Sequence, residues 1–172
     1  MKIVFAIIVF IISHTSFCQT KAIALNKNFI KSPFSIKYPS EWTLDTGIGN
    51  GIEFIIFSPM EGSSDRFREN VNLLIQDLQA TTIDLEKFYQ ISEEQIKGNA
   101  KNLEGFSAKK MKSVSTEYYN VKFSMTVGTN TVMTAQYYFV RDKKAYVLTF
   151  SSEAGKLMDV GQRILDSFSF SR

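Results

Sequence analysis

The chain has 172 residues, of which 44% are apolar, 22% charged and 13% aromatic, and its formal net charge is +3. That composition fits one globular domain and excludes a disordered chain, a collagen and a disulfide-stapled miniprotein. The small charge gives no ground for a nucleic-acid partner.

The N-terminus reads as a secretory signal peptide. Lys2 supplies the positive start, and residues 3–12 form an unbroken apolar run, the length of a signal core. A membrane span needs about 20 such residues. Ser16 and Cys18 place small residues at −3 and −1 of a cut before Gln19. Cleavage there makes the protein periplasmic or extracellular and leaves 154 of the 172 residues, with no transmembrane segment. The only histidine and the only cysteine, His14 and Cys18, leave with the peptide, so no internal disulfide can form. An alternative keeps Cys18 as a lipidated residue that tethers the protein to the envelope. Phe17 beside it departs from the Leu-Ala-Gly-Cys pattern of such sites.

Residues 19–28 read as a linker and 29–172 as the domain. Phe34, Ile36 and Tyr38 alternate with polar residues as in a strand. Trp42 and Leu44 suggest a short second strand, and Gly47, Gly49 and Gly51 mark a turn. Residues 52–57 form a buried strand. Residues 59–70 are polar and form a loop. Val71, Leu73 and Ile75 alternate again, with Leu74 breaking the pattern so that both faces are partly covered. The period then changes: Leu85, Phe88, Ser92 and Ile96 fall on one side of a helix over 84–97, capped by Thr82 or Asp84 and ended by Gly98. Strand candidates follow at 103–114, 121–127, 132–140 and 145–150, with turns at 128–130 and 141–144. A second helix of about 14 residues starts near Leu157, and 168–170 add a last strand. Short turns make the sheet mostly antiparallel, and helices covering it give an α+β fold.

Without histidine or cysteine after residue 18, the domain lacks a Ser-His-Asp or Cys-His pair and the usual zinc ligands. The Gly47, Gly49, Gly51 cluster has no following Lys-Ser/Thr and is not a phosphate loop. Glu61, Asp65 and Glu69, with Asn70 or Asn72, are the oxygen donors that a hard ion such as calcium would use. Their spacing fits no EF-hand, and Arg66 and Arg68 can pair with them instead. The same five charged residues, Glu61, Asp65, Arg66, Arg68 and Glu69, form the candidate partner-contact loop, because polar loops on a rigid sheet often carry function. Lys109, Lys110 and Lys112 read as a solvated strand edge. Of each doublet, Tyr118-Tyr119 and Tyr137-Tyr138, one ring is expected in the core and one outside. Trp42 is expected to anchor the core.

Five segments together resemble the PsbP-like proteins, the superfamily that includes the DcrB-type bacterial lipoproteins. They are 34–42 (FSIKYPSEW), 68–72 (RENVN), 136–140 (QYYFV), 144–151 (KAYVLTFS) and 164–168 (ILDSF). The resemblance covers residues 29–171 and implies a central antiparallel sheet flanked by helices. It also implies binding and assembly roles: PsbP is an extrinsic photosystem II subunit that helps retain calcium and chloride, and a nuclear member binds the GTPase Ran. The photosystem-engaging N-terminus is not matched, so that role is not carried over. The expected function is an exported, non-enzymatic binding or accessory module without catalytic residues, metal or cofactor, acting on a protein or envelope complex. The alternatives are a carboxylate- or divalent-ion-dependent enzyme and a membrane-tethered lipoprotein.

Overall fold

The computed structural model describes residues 23–63, 65–79, 82–113 and 116–171. The signal peptide, its cleavage point and Cys18 lie outside the described residues.

The chain opens with a hairpin of β1 (Lys27–Lys31) and β2 (Phe34–Tyr38), so strand begins two residues inside the segment read as a linker. On β2 the alternation holds: Phe34, Ile36 and Tyr38 are buried while Lys37 is exposed. Trp42 is buried where the chain turns toward β3 (Thr43–Asp45). β4 (Ile52–Phe57) and β5 (Asn70–Asp77) follow, and Gly49 and Gly51 adopt the positive φ their turn requires. Helix α1 (Leu85–Asn99) starts at Asp84, whose carboxylate accepts the Lys87 N–H at 2.8 Å.

A meander of β6 (Glu104–Lys112), β7 (Glu117–Val127), β8 (Asn130–Arg141) and β9 (Lys144–Glu153) comes next. The second helix, α2 (Met158–Asp166), has nine residues rather than fourteen, because Leu157 before it sits in the left-handed region and the chain leaves the helix at Ser167. β10 (Ser169–Phe170) closes the chain.

All pairings are antiparallel. One sheet has seven strands in the order β3-β4-β5-β9-β8-β7-β6, and a second has three in the order β1-β2-β10. β6 is an edge strand, with Lys109, Lys110 and Lys112 exposed along it. Two apolar clusters lie on opposite faces of the large sheet. On one face the three-stranded sheet and α2 close over Phe54, Leu73, Phe139 and Phe150. On the other, α1 lies over Val121, Tyr138 and Ala145. The small sheet therefore shares the covering with the helices.

The tyrosine doublets correct the expectation of one outward ring each. Tyr137 and Tyr138 are both buried, Tyr119 is buried and Tyr118 half-buried. Neighbours do face opposite sides, but both sides are covered. Packing is closest where α2 crosses Phe150: a Cβ on Gly161 would stand 2.3 Å from that ring. Gly161→Ala should therefore lower the unfolding free energy by about 1–3 kcal/mol, the usual cost of overpacking. Chemical denaturation would measure it, and an unchanged midpoint would show that the Phe150 ring moves aside freely.

Candidate functional site

The loop between β4 and β5, the β7–β8 turn and the β9–α2 connection meet at one end of the large sheet. The loop is held by its own charges. The Asp65 carboxylate accepts the N–H groups of Glu61 at 2.9 Å and Phe67 at 3.1 Å, and these bonds hold its carboxyl below the usual range. Lys156 reaches from the β9–α2 connection to Glu61 at 2.9 Å, and this contact raises its ammonium pKa. Arg68 donates from Nε to the Ser58 carbonyl at 2.7 Å, with its guanidinium 5.0 Å from the Phe57 ring centre. Arg66 is exposed.

The three carboxylates do not converge. Glu61 turns to Lys156 and Asp65 to the loop backbone, while Glu69 points into the core. Glu69 is 1% exposed; Oε2 accepts the Ser58 hydroxyl at 3.3 Å and Oε1 has no hydrogen-bond partner among the described residues. Among the described residues, no three His, Cys, Asp or Glu side chains gather as they would around a metal ion.

Two hollows flank the loop and share Glu61. A polar trough of about 630 Å3 is lined by Asp65, Arg66, the β7–β8 turn, Glu153 and Lys156. An apolar hollow of about 510 Å3 is lined by Ile23, Trp42, Pro59, Met60 and Leu157. Met60 and Ile23 are 57% and 38% exposed. The loop end thus sets an apolar hollow beside a charged trough, with Glu61 between them.

A second cavity, of about 570 Å3, lies beneath α1. The first half of the helix is anchored. Phe88 packs edge-on against Tyr138, Tyr89 stacks on Tyr119 at 4.0 Å, and the Tyr119 hydroxyl donates to Glu86 at 2.5 Å. Farther along, Ile91, Ser92 and Ile96 line the space from the helix, while Gln95 and Asn99 are exposed at its edge. The sequence carried a signal for this cavity: Ser92, a small polar residue, follows Phe88 at helical spacing on the apolar side.

A family model for PsbP-like proteins matches residues 6–170. The chain belongs to the PsbP-like protein family. No curated protein matches the sequence significantly. Among solved structures, this PsbP-like chain is similar to cyanobacterial PsbP (CyanoP) from Synechocystis sp. PCC 6803. The TM-score is 0.60 at 14% identity, covering 89% of this chain and 96% of that one. LpqN of Mycobacterium tuberculosis, described as involved in cell envelope biogenesis, matches with a TM-score of 0.58 at 16% identity, covering 81% and 83%. PA94 of Pseudomonas aeruginosa, of unknown function, matches at 0.53 and 9% identity, covering 77% and 86%. At these identities the likeness establishes a shared fold.

In this PsbP-like protein the α1 anchor titrates. The Glu86 hydrogen bond and then burial push the Tyr119 hydroxyl up to about 12; burial and then the Glu93 hydrogen bond push Tyr89 up to about 12. Folding thus favours the neutral phenols. Their contribution to stability is complete below pH 10, the ordinary tyrosine value, and is lost as pH rises through about 12. Absorbance titration of phenolate should show these late transitions, and Glu86→Gln should bring one of them toward 10. An unchanged titration in the variant would remove Glu86 from the anchor.

Proposed function

We propose that this PsbP-like protein is an exported, non-enzymatic binding or accessory module that meets a protein or envelope complex through its loop end. The observation that carries the reading is the apolar hollow of exposed Met60 and Ile23 beside the charged trough of Asp65, Arg66 and Lys156, with Glu61 shared between them. Apolar area adjoining polar area is the usual make-up of a protein contact. Asp65, Arg68 and Lys156 hold the loop in one shape, so little ordering entropy is lost on docking. Arg66 and Met60 are the contact residues, whereas Arg68 and Glu69 support the loop from behind.

The structural neighbours are consistent with this reading. None of the three is described as an enzyme, and LpqN is described as involved in cell envelope biogenesis. Separate partners for Glu61, Asp65 and Glu69 give no support to a carboxylate- or metal-dependent enzyme. Among the described residues no helix is long and apolar enough to cross a membrane.

Photo-crosslinking from position 60 in the intact host should give a discrete adduct that Arg66→Glu reduces severalfold without changing the melting temperature. Equal adducts from position 109, on the β6 edge, would overturn the loop assignment. N-terminal sequencing of the protein recovered from its host should begin at Gln19. A start at Met1 would overturn export, and a lipid-modified Cys18 would establish the tethered form.

A further inference from the structure

The cavity beneath α1 is independent of the loop end and has its own chemistry. It runs lengthwise under the helix from Phe88 to Asn99, about 16 Å at the rise of an α-helix. The space is elongated along the helix, with a volume of about 570 Å3. Its volume lies inside the range of about 300–1,000 Å3 typical of small-molecule sites.

Its walls are apolar and uncharged. Ile91 and Ile96 come from the helix, with Leu74, Val147 and Phe123 from the sheet. Among the described residues, no Lys, Arg, Asp or Glu lines it. The one phenol in the floor, Tyr138, donates to Gln136 Oε1, and the Gln136 amide donates in turn to Thr149 at 3.1 Å. That pair is closed on itself and presents little unmet polarity. Gln76 and Gln95 also line the cavity and are exposed, so their amides stand at its opening.

We propose that this cavity binds a single-chain amphiphile with an uncharged polar head. The chain would lie between α1 and the sheet, removing apolar surface from water along its whole length. The head would meet the amides of Gln76 and Gln95, which can donate to and accept from a hydroxyl or an ester. A charged head finds no counter-ion in this lining among the described residues and would have to stay outside in water.

The test uses the full chain with the fluorescent reporter N-phenyl-1-naphthylamine, displaced by monolaurin or by laurate at pH 8. Monolaurin should displace the reporter at least tenfold more effectively than laurate. Ser92→Phe fills the cavity from the helix side, and Gln95→Trp blocks its opening from an exposed position. Each should weaken monolaurin at least fivefold with the circular dichroism spectrum unchanged. If Ser92→Phe does not fold, Gln95→Trp carries the comparison alone. Laurate displacing as well as monolaurin, displacement by neither, or undiminished monolaurin binding in the folded variants would each overturn the proposal.

Discussion

The hairpin of β8 and β9 has to satisfy two cores at once, and the rest of the molecule is arranged around that demand. Along β8, Tyr137 and Phe139 enter one apolar cluster while Tyr138 enters the other. Along β9, Tyr146, Leu148 and Phe150 go to the first cluster, and Ala145 and Val147 to the second. A pleated strand sends neighbouring side chains to opposite faces, so neither face can be left to water. One is closed by the small sheet and α2, and the other by a single helix. With no cysteine after residue 18, the two clusters hold the domain without a disulfide.

The two closures are unequal. Phe34, Phe139, Phe168 and Phe170 form a connected set of ring contacts on the α2 side, and Gly161 lets the helix backbone touch Phe150. On the other side, Phe88 is the one buried residue of fifteen in α1. Local stability follows buried contact, so α1 is the layer that opens most easily. The cavity lies under the less firmly held half of that helix. Its Ser92 stands where a larger apolar side chain would have narrowed the gap.

Alternation made most strands legible in the sequence. Phe34 to Tyr38 and Val121 to Val127 repeat with period two, Ile52 to Phe57 is an almost continuous apolar run, and each is a strand in the structure. The tyrosine doublets were misread because period two says that neighbours diverge and does not say what each side meets. The apolar spacing of α2 runs past both ends of the helix, through Leu157, whose left-handed backbone belongs to the preceding turn, and Phe168, which follows the cap at Ser167. Asp65 was legible as a loop charge, but its work as a cap for two backbone N–H groups was not. Glu69 shows the same limit: with Glu61 and Asp65 it offers oxygen donors to a hard ion, while its position beside Ser58 takes it inward. Sequence spacing constrains regular elements, and a loop path is set by contacts from distant segments such as Lys156.

The charges of the loop end are for the most part consumed in making it rigid. Exposed ion pairs contribute little to stability individually, so their value lies in fixing shape: Lys156 ties the loop to the β9–α2 connection, and Arg68 ties it to the end of β4. Arg66 and Met60 remain exposed. That division separates supporting residues from presenting ones, which the sequence alone grouped together. It also separates the two surfaces physically. The loop end is braced by the densely packed side of the sheet, whereas the α1 cavity is covered by the thin one. A rigid surface suits recognition of a partner already folded, and a loosely covered cavity suits a ligand that must slide beneath a helix. The unequal burial of the two faces of one sheet is what allows a single small domain to offer both.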